Sequence, residues 1–322
     1  MGETHRVVPE GLDPLAIVGT TASGKSALAM ALARARDDVE LVSVDSMQVY
    51  RGMDVGTAKP TPAEQAEVRH HVIDLVDPWE PYEVHSFQAA VRDALADIAG
   101  RGRRAVLVGG TGLYLQAVVD GFEIPGRFPA ARDELEADPD TEGLHARLAA
   151  LDPAAADRME PTNRRRVVRA LEVTVGSGRP FSSYGPGAHA HPATPVHLVG
   201  LRLDPDRNAA RIEARFHQQL ADGFWDEVDR LAAGPALSRT AAQALGYREL
   251  LAQRAAAAAG DEHPSEQQAV AEAIARTRAF ARRQRAWFRR DPRSDWLDVD
   301  PDGDALDHLD HLLALAAPRW DR

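Results

Sequence analysis

The residues from Gly19 to Ser26 have the types and spacing of a phosphate-binding loop. The segment reads Gly-Thr-Thr-Ala-Ser-Gly-Lys-Ser and fits the pattern G-x-x-x-x-G-K-[ST]. In such a loop the backbone N–H groups and the N-terminus of the following helix cradle a di- or triphosphate. We expect Lys25 to neutralise the phosphates and Ser26 to be a ligand of Mg²⁺. The candidate phosphate-binding residues are Gly19, Thr20, Thr21, Ala22, Ser23, Gly24, Lys25 and Ser26.

Two further polar turns follow apolar runs that read as strands. Asp45 comes directly after the run 40–44, and Gly109-Gly-Thr111 comes directly after the run 105–108. The carboxyl ends of parallel strands form the ligand edge of an α/β sheet, so we expect Asp45 and Thr111 at that edge. Nucleotide hydrolysis usually needs a strand that ends in a Mg²⁺-binding Asp. The run 105–108 ends in glycine, which counts against hydrolysis, although Asp45 leaves a nucleotide or small-molecule kinase open.

These turns need a parallel sheet with helices on both faces to bring them together. Strands alternate with helices of three- and four-residue apolar spacing, which predicts an α/β fold with a parallel sheet core of the P-loop NTPase type. We predict strands at 15–18, 40–44, 72–76, 105–108 and 196–203, and helices from Ser26, at 84–98, at 212–224, after Arg254 as far as Gly260, and at 265–290. Residues 127–195 show helical periodicity and a Gly/Pro-rich loop, which predicts a helical insertion between core segments 13–126 and 196–322.

Composition excludes several classes of protein. The chain has 322 residues, no cysteine, and a net charge of −11, so disulfides and thiolate metal sites are excluded. Its longest uncharged apolar stretch, 105–119, is too short to span a membrane, and we expect a cytoplasmic monomer with no membrane partner. The acidic total argues mildly against a nucleic-acid partner. Of the 38 Lys and Arg residues only Lys25 and Lys59 are lysines, and both lie in glycine-containing loops.

The motifs, taken in order, resemble those of the tRNA dimethylallyltransferase family, also called tRNA isopentenyltransferases. The matching segments are Gly19–Ser26, Asp45–Tyr50, Gly56–Pro60, Gly109–Thr111, Asn163–Leu171, Ala244–Glu249 and Arg282–Arg289. The resemblance implies transfer of a dimethylallyl group from dimethylallyl diphosphate to N6 of the adenosine at position 37 of tRNA, next to the anticodon. Thr20, Arg283 and Ala286 depart from the residues common in the family at those positions.

The resemblance also implies roles for individual residues. The phosphate loop would hold the diphosphate with Mg²⁺, Asp45 would take the N6 proton, and Thr111 would support the leaving oxygen. Either Arg211 or Arg215 would reach the diphosphate. The tRNA contacts would come from Asp45, Ser46, Met47, Gln48, Thr111, Arg132, Arg165, Arg166, Val167, Val168, Arg169, Arg278, Arg282 and Arg285.

Arginine clusters reconcile an acidic chain with an RNA partner. Residues 276–293 hold eight arginines and one acid, and at 100° per residue Arg278, Arg282, Arg285 and Arg289 share one face of a helix. A solvated charged face is the ordinary explanation, and the resemblance favours RNA phosphates. The insertion 127–195 would clamp the anticodon stem-loop. The pair His70 and His71 has no accompanying metal-ligand pattern, so we interpret it as capping or surface residues.

Overall fold

The computed structural model describes residues 7–121, 123–185, 187, 190–260, 264–300 and 303–321. These residues form two compact units. The core unit comprises the described residues of 6–119 and 193–322, and the helical unit comprises those of 120–192. None of the helices in the described ranges is long and apolar enough to cross a membrane.

A six-stranded sheet, parallel throughout, forms the centre of the core unit and confirms the predicted fold class. Its strands are β1 (Leu15–Gly19), β2 (Val39–Val44), β3 (His70–His71), β4 (Arg104–Gly109), β5 (His197–Leu203) and β6 (Ser294–Val299), in the order β3-β2-β4-β1-β5-β6. The central strand β1 is buried along its whole length. Such continuous apolar runs suit a parallel sheet because both of its faces are covered.

Thirteen α-helices lie in the described ranges. They are α1 (Lys25–Ala35), α2 (Pro62–Glu67), α3 (Val84–Gly100), α4 (Gly112–Asp120), α5 (Pro129–Ala137), α6 (Thr141–Leu151), α7 (Pro153–Ala156), α8 (Arg164–Ser177), α9 (Pro205–Ala221), α10 (Phe224–Ala232), α11 (Tyr247–Ala259), α12 (Glu266–Phe288) and α13 (Leu309–Trp320). Short 3₁₀ turns lie at 181–184, 241–243 and 305–308. Helices α5 to α8 belong to the helical unit.

Two hydrophobic clusters cover the two faces of the sheet. One contains Ala16 and Val18 of β1 with side chains of α3, α9 and α12. The other contains Leu15 and Ile17 of β1 with side chains of α1 and α13. Alternate residues of one strand therefore serve opposite layers, as the two-residue period of a strand requires.

Two sequence predictions differ from the structure, and some elements were not predicted. Residues 72–76 do not form a strand, because Val72 and Asp74 have positive φ angles of 63° and 54° that turn the chain out of the sheet. The predicted helix 212–224 is two helices, interrupted at Gly223, whose φ is 96°. The sequence also gave no prediction of β6 or α13, which complete the sheet edge and one covering layer.

The helical unit has its own core and lies between slightly different limits from the predicted 127–195. Leu135, Leu148 and Leu171 meet in this core. The carbonyl of Pro125 accepts a 2.7 Å hydrogen bond from Arg169, which ties the segment before 127 to α8. At the other end, the Thr194 hydroxyl donates to the carbonyl of Val119, so the chain has already rejoined the core unit there.

Candidate active site

The phosphate loop joins β1 to α1 in a conformation that needs its glycine. Gly24 has a φ of 94°, and a Cβ there would lie 2.4 Å from the Cβ of Ala305. Its neighbour Lys25 is 9% exposed and begins α1. The Lys25 ammonium donates a 2.6 Å hydrogen bond to the carbonyl of Thr20. The loop therefore presents a buried cation and the first turn of a helix to the same space, as the sequence predicts.

Three side chains from α9 and α12 fix Thr21 at the crest of this loop. Gln284 accepts a 2.8 Å hydrogen bond from the Thr21 amide, and Asn208 donates a 2.8 Å hydrogen bond to its carbonyl. Arg215 donates to the Thr21 hydroxyl. Asn208 and Gln284 are 1% and 5% exposed, so water competes little for these contacts. Neither residue was among the sequence candidates.

Asp45 follows β2 and Thr111 follows β4, and the register of the sheet places them side by side. Val44 pairs with Gly109 across the two strands. The Ser46 amide donates a 3.3 Å hydrogen bond to the Thr111 hydroxyl, and the Asp45 carboxylate accepts a 2.8 Å hydrogen bond from the Met47 amide. The carboxylate is thus held in a tight turn by backbone amides and lines the cavity described next.

A cavity of about 520 Å³ connects the phosphate loop with Asp45. It is lined by Thr21–Ala27, Ala29, Met30, Leu41, Ser43, Asp45, Gln48, Thr57–Pro60, Glu64, His70, Val108–Gly110, Arg211, Arg215, Phe280, Gln284 and Asp304. The lining includes the basic side chains of Lys25, Lys59, Arg211 and Arg215 and the apolar side chains of Met30, Leu41, Val108 and Phe280. This suits a ligand with an anionic head and a small hydrocarbon group.

Burial and mutual interaction shift the protonation of the three central charges. Burial lowers the pKa of Lys25 to about 7, with the neighbouring Arg215 lowering it further and Asp45 opposing the shift. Burial raises the pKa of Asp45, whereas the hydrogen bond from the Met47 amide and the positive charges of Lys25 and Arg215 act to lower it. Burial likewise lowers the pKa of Arg215. Among these three buried groups two are basic and one is acidic, so this part of the cavity is suited to binding an anion.

The structure distinguishes Arg215 from Arg211. Arg215 contacts the phosphate loop directly through Thr21, whereas Arg211 donates a 3.1 Å hydrogen bond to the carbonyl of Gly303. Both line the cavity. Arg215 is the better placed of the two for a diphosphate.

The second lysine, Lys59, is bonded to other residues of the protein. The Lys59 ammonium lies 2.6 Å from carboxylate oxygens of both Asp54 and Asp74, and it donates a 2.8 Å hydrogen bond to the Tyr50 carbonyl. Its side chain is 2% exposed. Gln48 holds the same loop by accepting from the Ser43 hydroxyl at 2.7 Å and donating to the carbonyl of Ala58 at 3.1 Å. The segment from Asp45 to Lys59 is therefore cross-linked by polar contacts.

The buried carboxylate of Glu227, which the sequence analysis did not identify, binds backbone amides of this loop. Glu227 on α10 accepts hydrogen bonds from the amides of Asp54, Val55 and Gly56 at 2.8, 3.0 and 3.1 Å. Tyr247 donates its hydroxyl to the same carboxylate. Burial raises the pKa of that phenol, so Tyr247 is a donor at all ordinary pH values.

The arginine face of α12 is partly paired and partly open. Arg278 forms a 2.6 Å ion pair with Glu213. Arg282 and Arg289 are exposed and Arg285 is half-buried, and the described residues give these three no hydrogen-bonding or ion-pair partner. Gln284, on the opposite side of the same helix, lines the cavity. The open arginines remain candidates for RNA phosphates.

In the helical unit the predicted RNA residues separate into two groups. Arg165 and Arg166 are exposed at the start of α8. Val167 and Val168, also predicted to contact tRNA, are 0% and 2% exposed and pack in the core of the unit. Arg132 and Arg169 instead pair with the buried Glu172, at 3.2 and 2.7 Å. Their first role is to neutralise that carboxylate.

Ser26 is the residue of the phosphate loop that would hold Mg²⁺, together with oxygens of the substrate. Ser26 is exposed at the cavity, and no three His, Cys, Asp or Glu side chains of the described ranges gather into a metal-binding group. Mg²⁺ commonly takes one or two protein oxygens and completes its shell with phosphates and water. His70 and His71 instead bond to the Val68 carbonyl and to Glu40, at 2.7 and 2.6 Å.

Comparisons with known proteins agree with this geometry. The IPP transferase family matches residues 48–291, and the isopentenyl transferase family matches residues 13–75. A tRNA dimethylallyltransferase of Salinispora arenicola is 47% identical over 94% of this chain and 87% of its own length, and one of a Nocardioides species is 46% identical over 90% and 92%.

Solved structures give the same result. The tRNA isopentenylpyrophosphate transferase of Bacillus halodurans aligns with a TM-score of 0.67 at 34% identity, covering 96% of this chain and 97% of that chain. A eukaryotic dimethylallyltransferase captured acting on tRNA aligns with a TM-score of 0.74 at 25% identity, covering 95% and 78%. With this coverage at both levels, the chain belongs to the IPP transferase family, the tRNA dimethylallyltransferases.

Proposed function

We propose that this protein transfers the dimethylallyl group of dimethylallyl diphosphate to N6 of adenosine 37 in tRNA and releases diphosphate. The observation that carries the proposal is the cavity that joins a buried cationic phosphate loop to the Asp45 carboxylate. The membership in a prenyltransferase family supports it. A tRNA substrate also implies that the enzyme works in the cytoplasm.

The chain's own residues supply an electrostatic cradle for the leaving group. Lys25, the amides of the phosphate loop and Arg215 would bind the diphosphate, on which charge grows as the allylic C–O bond breaks. Thr111 would support the leaving oxygen from the neighbouring turn. Mg²⁺, held by Ser26 and the diphosphate, would add further neutralisation of that charge when bound.

Asp45 would complete the reaction by accepting the proton. As the new C–N bond forms, N6 of adenosine becomes acidic and loses one proton to the carboxylate. The Met47 amide fixes the orientation of the Asp45 carboxylate, which lines the cavity and would accept the proton there. Ser46, Met47 and Gln48 would surround the adenine, since they form the turn that carries Asp45.

The two arginine surfaces would bind the RNA. Arg282 and Arg285 on α12, and Arg165 and Arg166 on α8, offer guanidinium groups that suit phosphates. The helical unit would hold the anticodon stem-loop, and the target adenosine would leave its stack to reach Asp45. Few cations serve this purpose in a chain of net charge −11, so nonspecific RNA binding should be weak.

The kinase alternative is less favoured because the strand β4 ends in Gly109-Gly110-Thr111 and not in a carboxylate. Radiolabelled dimethylallyl diphosphate and unmodified tRNA would separate the two activities directly. We expect label in tRNA that has adenosine at the target position and none in tRNA with guanosine there. Phosphorylation of a nucleotide by ATP without prenylation of tRNA would overturn the proposal.

Asp45→Asn tests the assignment of the base within the same assay. The asparagine oxygen can still accept the Met47 amide, so the turn should keep its shape. We expect the kcat of transfer to fall by about 10²-fold or more, with the tRNA dissociation constant unchanged. A kcat within a few fold of wild type would show that Asp45 is not the base.

A further inference from the structure

Gln284 connects two loops of the active site, of which only its contact with Thr21 has been described above. It lies on α12, is 5% exposed, and lines the cavity. We propose that Gln284 is a positioning residue that holds the phosphate loop and the Gly109–Thr111 turn at the separation that the transfer reaction needs. The proposal rests on the proposed function and adds to it a residue that acts through the two loops it joins.

The two ends of the Gln284 amide serve different loops. Its oxygen accepts a 2.8 Å hydrogen bond from the Thr21 amide, and its nitrogen donates a 2.8 Å hydrogen bond to the Gly110 carbonyl. The partners fix the orientation of the amide, because Thr21 offers a donor and Gly110 an acceptor. A side chain that only accepted or only donated could not join both loops.

The fit at Gly110 is close, and a side chain there would displace the Gln284 amide. A Cβ at that position would lie 2.4 Å from the Gln284 nitrogen, well inside any normal contact. Two residues further on, a Cβ at Gly112 would lie 2.3 Å from the Trp287 ring. The turn after β4 is therefore built against α12, and the glycines of the turn make room for the helix.

Gln284 is distinct from the other two anchors of Thr21. Asn208 and Arg215 both come from α9, and among the described contacts neither reaches the turn after β4. Among the described contacts, Gln284 is the side chain that bonds the loop bearing Lys25 to the turn bearing Thr111. Those two groups must bracket the same leaving oxygen, and a misplacement of about 1 Å can cost about 10²-fold in rate.

Gln284→Leu removes both hydrogen bonds while keeping the size of the side chain. We expect the kcat of prenyl transfer to fall about tenfold to hundredfold at saturating substrates, with the tRNA dissociation constant within about twofold of wild type. Thr277→Val is the matched control, since Thr277 is buried on the same helix and its hydroxyl donates only within it, to the Ala273 carbonyl at 2.8 Å.

Gln284→Glu provides a readout that a merely structural role would not move. The carboxylate still accepts from Thr21 but cannot donate to Gly110, whereas the protonated acid can do both. The ratio of the variant's kcat to that of wild type should therefore rise as the pH falls. The ionisable groups that line the same cavity are Lys25, Asp45, Lys59, Glu64, His70, Arg211, Arg215 and Asp304. They are common to both proteins, so a pH-dependent ratio reports the added carboxyl group together with its effect on them.

The outcomes separate the two proposals. If wild-type protein does not prenylate tRNA, the proposed function fails before Gln284 is tested. If wild type is active, a selective loss of kcat in Gln284→Leu, together with a pH-dependent ratio for Gln284→Glu, supports positioning. A Gln284→Leu kcat equal to that of Thr277→Val would overturn it, as would a ratio for Gln284→Glu that does not change with pH.

Discussion

Replacing Lys59 with methionine should destabilise the protein, because this ammonium holds together the loop that carries Asp45. Methionine keeps the buried hydrocarbon length and removes three contacts, those to Asp54, Asp74 and the Tyr50 carbonyl. Breaking a fully buried ion pair costs about 3–5 kcal/mol. The side chains of Asp54 and Asp74 are 55% and 39% exposed, so water restores part of their solvation. We therefore expect a loss of about 2 kcal/mol in the free energy of unfolding.

Urea unfolding followed by circular dichroism, with hydrogen exchange at the amides of 54–59, measures this effect. Lys25→Met is the matched control, because the other lysine has a carbonyl partner and no ion pair, and burial lowers its pKa to about 7. That variant should keep its stability and lose diphosphate affinity. A Lys59→Met protein within about 0.5 kcal/mol of wild type would refute the structural role of Lys59. So would loss of diphosphate binding at unchanged stability.

Two further predictions concern the charges of the site and of the surface. Diphosphate should bind with proton uptake above about pH 7, because burial lowers the pKa of Lys25 to about 7 in the free protein and a bound anion raises it again. Affinity should therefore decline as the pH rises past that value, and calorimetry in buffers of different ionisation enthalpy should show the uptake in wild type and not in Lys25→Met. Replacing Arg282 and Arg285 with glutamine should reduce the slope of log K for tRNA against log salt by about 1 per arginine. An unchanged slope would show that these side chains do not neutralise phosphates.

Much of the sheet was predictable because its strands are apolar runs that end in recognisable turns. The two-residue strand β3 was missed, since two histidines give no periodic signal. The run from Val72 to Val76 has the composition of a strand, but positive φ angles at Val72 and Asp74 turn it away. Strand β6 carries Asp295 and Asp298 on exposed positions, so its alternation resembles a polar loop.

The site was predictable to the extent that it lies in short local motifs. The phosphate loop, Asp45 and Thr111 each follow a strand, so the sheet brings them to one edge. Gln284, Asn208 and Glu227 act on backbone groups far away in the sequence, and Gln284 contacts a loop 263 residues earlier. The spacing of residues within a short motif carries no information about a contact of this kind. Arg132 and Arg169 were predicted to contact RNA from the resemblance, and their pairing with the buried Glu172 becomes evident only from the packing of α8.

The scarcity of lysine has a consequence for labelling experiments. The sequence contains two ε-amines, and the structure places both in the core unit with residue exposures of 9%. Lys59 lies between two carboxylates, whereas burial lowers the pKa of Lys25 to about 7, which favours its neutral, nucleophilic amine. A phosphate-bearing aldehyde or ester would therefore find its reactive amine inside the catalytic cavity. A reaction of such a reagent at the Lys25 ε-amine would therefore report on the active site, and a bound diphosphate should protect against it.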